Sequence, residues 1–151
     1  MFFNFVFHTA FFFIVQIQKL CYAQYEYLTN QEEIMLTAEL AELFIKRYIQ
    51  YIPYQINIMN EKGIVIASSD KSRIGAFHEV AYKILKTDNV MILTEHDVSN
   101  YIGVQYGVNS AVLYHGEKVG VIGLTGNPYE VRDMISVLRI SLEQMLEYEL
   151  G

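Results

Sequence analysis

Two pairs of short strand-like segments, each joined by a few turn residues, constrain the fold of this chain more than any other feature. The first pair is Gln55 to Met59 and Ile64 to Ser68, joined by Asn60-Glu61-Lys62-Gly63. The second pair is Asn109 to His115 and Val119 to Thr125, joined by Gly116-Glu117-Lys118. Parallel strands need a long crossover, so segments joined this closely pair as antiparallel hairpins. We therefore predict a mainly antiparallel sheet.

Helical patterns flank the hairpins. From Thr29 the chain has a helical period, with Thr29 and Glu32 as a capping box and Pro53 as the stop. A long final helix follows Asn127 as N-cap and Pro128 at the first helical position. The middle of the chain adds a short helix and a strand, Ala76 to Lys86 and Val90 to Thr94. The predicted class is α+β, with an antiparallel sheet of about five strands flanked by N- and C-terminal helices.

Size and charge exclude several classes of protein. The chain has 151 residues, 52% of them apolar and 19% charged, which suits one domain with its own core. The net charge of −6 and the lack of a Lys/Arg cluster argue against direct nucleic-acid binding by this chain. Cys21 is the single cysteine, so no internal disulfide is possible and a reducing cytoplasm is the default location.

Residues 1–28 form an apolar N-terminal extension, with the domain proper predicted over residues 29–151. The Phe-rich run from Met1 to Ile17 is interrupted by Asn4, His8 and Thr9, and a membrane span needs about 20 apolar residues. A signal peptide has basic residues before its apolar core, and no basic residue precedes this run. Three interpretations stay open: an extension outside the folded domain, a membrane anchor or uncleaved signal contacting the bilayer through residues 1–17, and a helix packed on the domain.

The sequence contains no set of residues that indicates catalysis, a metal or a cofactor. There is no activated nucleophile, no pair of carboxylates and no Cys/His pair with zinc spacing. The glycines of Gly120-x-x-Gly123-x-x-Gly126 match neither the Rossmann fingerprint nor a Walker loop. We therefore predict a protein that is not an enzyme, with close packing as the reason for these glycines.

Two blocks of the sequence carry distinctive residues. The first block runs from Ile52 to Ser68 and continues with Arg73-Ile74-Gly75 and His78. The second block has Gly103-Val104, Gly107-Val108-Asn109, Val119 to Pro128 and Glu130-Val131-Arg132. In their order and spacing between about Leu36 and Leu146, these blocks resemble the sugar diacid recognition family, found at the front of bacterial carbohydrate diacid regulators.

The resemblance implies a PAS/Cache-like sensor domain for transcription regulation and signal transduction. Its ligand would be a small hydroxy-acid or sugar diacid of the glycerate, glucarate and galactarate class. The family normally carries a helix-turn-helix output domain, which we do not expect in this sequence, and analogy suggests a homodimer through the terminal helices. The alternatives are a ligand-free interaction module that keeps the fold and a small enzyme acting on a hydroxy-acid.

The sequence also departs from the family. The family has a proline at the position of Tyr106, Leu-Pro at Ser110-Ala111 and glycine at Val80. We expect these positions to lie near the pocket, where they would alter ligand contacts more than the fold.

Arg73 and His78 are the leading candidates for ligand contact. A guanidinium offers a carboxylate two parallel hydrogen bonds, and the alternative for Arg73 is a surface ion pair with Asp70 or Glu79. His78 stands near the start of a predicted helix, where an anion is favoured, and the alternative is a capping or core histidine.

Four further residues are supporting candidates. Gly75 would permit a tight turn or close approach of the backbone to a ligand. The Asn109 amide would point into the pocket or serve a turn. Ser68 and Ser69 would bind a ligand hydroxyl or satisfy their own loop.

Overall fold

The computed structural model describes residues 2–29 and 36–151. The contacts of the chain divide it into two units, residues 1–34 and residues 35–151. The elements, in chain order, are α1 (Phe2–Thr29), α2 (Ala38–Tyr48), β1 (Gln55–Met59), β2 (Val65–Ser68), α3 (Glu79–Lys86), β3 (Val90–Leu93), β4 (Gly107–Tyr114), β5 (Glu117–Thr125) and α4 (Pro128–Leu150). Two short 3-10 turns, Lys71–Arg73 and Val98–Asn100, lie in the connections.

The second unit is an α+β domain built on one sheet. Its five strands lie in the order β2-β1-β5-β4-β3, and every neighbouring pair is antiparallel. The predicted α+β class and five-stranded antiparallel sheet are confirmed. The narrower PAS/Cache-like assignment stays a prediction.

The two faces of the sheet are covered by different helices. The face that packs on α2 and α4, called here the helix face, carries an aliphatic core that includes Ile56, Ile58 and Ile122. The opposite face, called the α3 face, packs Met59 and Val121 against α3. Side chains alternate between faces along a strand, so each central strand contributes to both.

The hairpins agree closely with the sequence. β1 has the predicted bounds, and Gly63 in its turn has φ +75. The second turn is tighter than predicted, because β5 already begins at Glu117. His115 and Gly116 take φ values of 48 and 82, the left-handed conformation that a two-residue type I′ turn needs at both positions.

The start of α2 differs from the prediction. Thr29 is the last residue of α1, and Glu32 lies outside the described residues, so the Thr29 capping box does not begin this helix. The side chain of Thr37 instead accepts a hydrogen bond from Leu40 N and caps α2. The final helix begins as predicted, with Asn127 accepting from Tyr129 N.

Helix α1 forms the whole of the described part of the first unit. Its 28 residues correspond to about 42 Å of helix at 1.5 Å per residue. Over Asn4–Tyr27 it has the length and composition that a membrane span requires, and no other helix among the described residues does. The membrane contact and the domain boundary that the sequence suggested stay predictions.

Candidate functional site

A row of buried polar side chains crosses the centre of the α3 face. Asn57 on β1 pairs with Ser68 on β2 and with Gly123 on β5, and Gly123 pairs with Asn109 on β4. Ser68, Asn57 and Asn109, called here the polar row, are only 1%, 4% and 4% exposed. Burying polar groups in this way is unfavourable unless they gain partners, so the row is a candidate for ligand contact.

The polar row is only partly satisfied by the protein itself. Ser68 Oγ donates to Asn57 Oδ1 at 2.6 Å. Gly123 leaves room for the Asn109 amide, since a Cβ at position 123 would overlap Asn109 Oδ1. The Asn109 side chain has no hydrogen-bond partner within the part of the chain that the structure describes. Its amide is therefore available to a ligand.

His78 closes the same face at the start of α3. It is 3% exposed, and its Nδ1 accepts a hydrogen bond from Ala81 N at 3.1 Å, so it is the N-cap of α3. Burial, and then the positive charge of Arg73, lower the pKa of His78 from 6.5 to about 4. The ring is neutral at pH 7, and because Nδ1 accepts, its proton lies on Nε2 as a donor.

Arg73 lies beside His78 without a carboxylate partner. It ends the turn Lys71–Arg73, and its Nη2 donates to Gly103 O at 2.7 Å. Its Nε is buried and has no partner among the described residues. The ion pair considered from the sequence is not formed, because Asp70 accepts from Ser72 and Glu79 accepts from Ile102 N. The guanidinium therefore keeps a buried donor for a ligand.

Gly75 and Ser69 have roles within the protein. Gly75 has φ +88 with open space around its Cα, and its N–H donates to Val65 O at 2.8 Å, so it forms a tight turn beside β2. Ser69 Oγ accepts from Ile56 N at 2.8 Å, which ties the end of β2 to β1. Both residues hold the segment that carries Arg73.

The structure thus brings Arg73 and His78 together and places Ser68 and Asn109 on the same face. Asn57 was missed by sequence reasoning. The polar residues at alternate positions of β1, Gln55 and Asn57, were the signal that could have identified it. Thr125 was also missed; it lies on the neighbouring rung of this face, and its Oγ1 donates to Gln105 Oε1 at 3.1 Å.

The positions that depart from the family pattern lie in different places. Val80 is fully buried in α3, and Ala111 packs in the same α3-face core. Ser110 points to the opposite face, in a groove of about 290 Å³ beside Arg132 and Arg139 of α4. Alternation along β4 places the Ser110 side chain on the helix face, away from the polar row, and the expectation that these positions lie near the ligand pocket stays a prediction.

The chemistry of the α3 face suits a small polyhydroxylated anion. Arg73 and the Nε2–H of His78 are donors for a carboxylate, while the Asn109 amide both donates and accepts, as a hydroxyl requires. No group of three or more His, Cys, Asp or Glu side chains is arranged to hold a metal ion in residues 2–29 and 36–151.

Comparison with known families and proteins gives a clear match. A family model described as "Putative sugar diacid recognition" matches residues 36–150. The carbohydrate diacid regulator of Escherichia coli (strain K12) is 35% identical over 112 residues, which are 74% of this chain and 29% of the regulator. The uncharacterized protein YsfB of Bacillus subtilis (strain 168) is 30% identical over 108 residues, 72% of this chain and 29% of YsfB. The chain spans less than a third of the length of these relatives.

Two solved structures share the fold at low sequence identity. Residues 122 to 287 of a methyl-accepting chemotaxis protein superpose with a TM-score of 0.55 at 15% identity, covering 76% of this chain and 90% of that one. The type II free methionine-R-sulfoxide reductase from Thermoplasma acidophilum gives a TM-score of 0.52 at 14% identity, covering 74% and 92%. At this identity the likeness concerns the fold alone.

Proposed function

The chain belongs to the sugar diacid recognition family, and from that premise we propose that its domain binds a small hydroxy-acid or sugar diacid on the α3 face. The single observation that carries this proposal is the buried Nε of Arg73, which has no partner among the described residues. A buried donor left unpaired costs about 1–3 kcal/mol, and a ligand carboxylate would recover that energy.

Different residues of the site would contact different groups of the ligand. Arg73 and His78 would hold one carboxylate, because a guanidinium and a neutral imidazole N–H are both donors. The Asn109 amide and the Ser68–Asn57 pair would contact the hydroxyl groups, which need partners that donate and accept. Gly75 and Ser69 would act by fixing the Arg73 segment.

The test is thermal unfolding with glycerate, glucarate, galactarate and tartrate, and with neutral sugars as negative controls. A ligand at about 100 times its dissociation constant raises the unfolding free energy by about 2.7 kcal/mol, a shift of several degrees. We expect Arg73→Ala to abolish the shift. Arg132→Ala is the matched control, because Arg132 is an exposed arginine in the groove on the opposite face.

Each result of this test is informative. A shift that survives in Arg73→Ala, or that disappears in Arg132→Ala, would contradict the assigned site. A cooperative melt with no shift from any acid would favour the alternative, a ligand-free interaction module that retains the fold.

We further propose that the site binds its ligand without turnover. His78 uses Nδ1 to cap α3, and its lowered pKa leaves the ring a poor proton acceptor at neutral pH. Each acid incubated with the protein should be recovered unchanged by proton NMR, and a new product that requires Arg73 would contradict this proposal.

We propose that α4 transmits ligand binding to the output of a transcription regulator. Strand β4 carries Asn109 on the α3 face, and further along it the Leu113 N–H donates to Glu143 Oε1 of α4 at 2.9 Å. A shift of β4 at Asn109 would therefore reach α4 through this contact. DNA binding would belong to another part of the regulator, and the cytoplasmic location predicted from the sequence fits such a role.

A further inference from the structure

The two edges of the sheet are treated differently. At the β2 edge, the segment after the turn covers the strand: Gly75 N donates to Val65 O, Val65 N donates to Ala76 O, and Ile64 bridges Phe77. At the other edge, β3 pairs only with β4 within the described residues. Within residues 2–29 and 36–151, backbone therefore covers the β2 edge and leaves the β3 edge unpaired.

Strand β3 lacks the features that usually protect an open edge. Its sequence, Val90-Met91-Ile92-Leu93, has no lysine, proline or other polar residue, and its pairing with β4 has no bulge. The Val90 and Ile92 side chains are 52% and 50% exposed. An apolar, unbulged edge is a template for pairing with another strand.

The backbone of β3 offers hydrogen bonds in a defined register. Asn89 O accepts from Ala111 N at 2.7 Å, so residue 89 directs its carbonyl toward β4. Because these directions alternate along an antiparallel strand, the N–H and C=O groups of Val90 and Ile92 point to the open edge.

The charges on either side of β3 favour a second copy of the same strand. Lys83, Lys86 and Asp88 precede β3 and sum to a charge of +1, while Glu95 and Asp97 follow it and sum to −2. An antiparallel copy brings the basic start of one strand next to the acidic end of the other. A parallel copy would bring like charges together, which is unfavourable.

We propose that two copies of the chain associate through antiparallel pairing of their β3 strands. In this register Val90 exchanges hydrogen bonds with Ile92 of the second copy, and Met91 lies on the two-fold axis. The exposed Val90 and Ile92 side chains of both copies then cover one another on the helix face, and the two five-stranded sheets become continuous. Four-residue strands make a small interface, so the dimer is weak and depends on concentration.

The first test is sedimentation velocity of the full chain over a range of concentrations. We expect Ile92→Lys to remove the dimer, because a lysine on the edge disrupts strand pairing. Val137→Lys is the matched control: Val137 is 67% exposed on α4, and this variant should still dimerise. A chain that stays monomeric, or a dimer lost only in Val137→Lys, would overturn the proposal; the second result would favour the terminal-helix dimer predicted from the sequence.

The second test fixes the register by disulfide formation in a Cys21→Ser background. A cysteine at position 91 would face its twin across a pair with Cα atoms about 4.5 Å apart, within the range that a disulfide spans. A cysteine at position 92 would lie beyond about 7 Å from its twin. We expect Met91→Cys to form a linked dimer under mild oxidation and Ile92→Cys not to. Equal linking of both, or none at position 91, would overturn the register.

Discussion

The two faces of the sheet are built from the same strands and differ in what they bury. On the helix face, α2 and α4 cover a continuous aliphatic core. On the α3 face, apolar packing is limited to the part beneath α3, and the polar row fills the centre. Strand β1 shows the contrast within three residues, because Ile56 and Ile58 pack on one face while Asn57 is buried on the other. The helix face therefore contributes mainly apolar burial, whereas the α3 face also buries polar groups, as the proposed ligand site requires.

The strongest test of this division removes side-chain volume from the helix face. Ile122 is fully buried in β5, so Ile122→Ala should lower the unfolding free energy by about 3 kcal/mol through lost burial and a residual cavity. Urea unfolding measures the loss, and calorimetric titration should give an unchanged affinity for the acid. If the binding free energy of the acid fell by as much as the unfolding free energy, the two faces would not be independent.

The second test uses pH to examine the α3 face. His78 binds a proton near pH 6.5 when unfolded and near pH 4 when folded, so the unfolded state binds more protons between these values. The unfolding free energy should have its full value above pH 6.5 and fall by about 3 kcal/mol as the pH is lowered to about 4. His78→Asn keeps an N-cap acceptor but removes the titrating ring. An equally steep loss in His78→Asn would contradict this assignment.

A smaller effect is expected from a methyl group placed inside the polar row. The added Cβ of Gly123→Ala would displace the Asn109 amide, and losing that ligand hydrogen bond should weaken acid binding by about tenfold. Asn109→Ala should cause a similar loss, and the double variant no more than either alone, because both act through one amide. Additive losses in calorimetric titration would mean that Gly123 acts by another route.

The smallest effect separates the two neighbouring serines. Ser69→Ala loses hydrogen bonds with the Ile56 backbone and should cost about 1 kcal/mol of unfolding free energy, with no change in acid binding. Ser68→Ala removes the hydrogen bond that Ser68 Oγ donates to Asn57 Oδ1, and this variant should weaken acid binding. If Ser69→Ala weakened binding instead, the ligand would lie nearer the sheet edge than proposed.

Local chemistry explains which parts of the fold could be predicted from the sequence. The β1 hairpin and the start of α4 depend on neighbouring residues, such as Gly63 and the Asn127-Pro128 cap, and were predicted closely. The buried side of α2 was predicted only in part: the helical spacing of Leu40, Phe44 and Tyr48 agrees with their packing in the core, but Leu43, at the same spacing, is 46% exposed. Which side of a short helix is buried depends on the sheet beneath it, and no local pattern encodes that contact.

The candidate site was predictable only in part for the same reason. Arg73 and His78 are close in sequence and were identified together. The polar row depends on the register of β1, β5 and β4, which come from distant parts of the chain. Asn57 was therefore not predicted as a site residue, although it pairs with Gly123 and lies in the same row as Asn109.

The most direct test of the proposed site is an NMR titration of the ¹⁵N-labelled chain with galactarate. We expect the Arg73 Nε–H signal and the side-chain amide signals of Asn109 and Asn57 to shift together, with one dissociation constant. Arg132 and Arg139 in the groove on the helix face should be unaffected. Shifts confined to those two arginines, with the Arg73 and Asn109 signals unmoved at saturation, would contradict the assignment of the α3 face as the binding site.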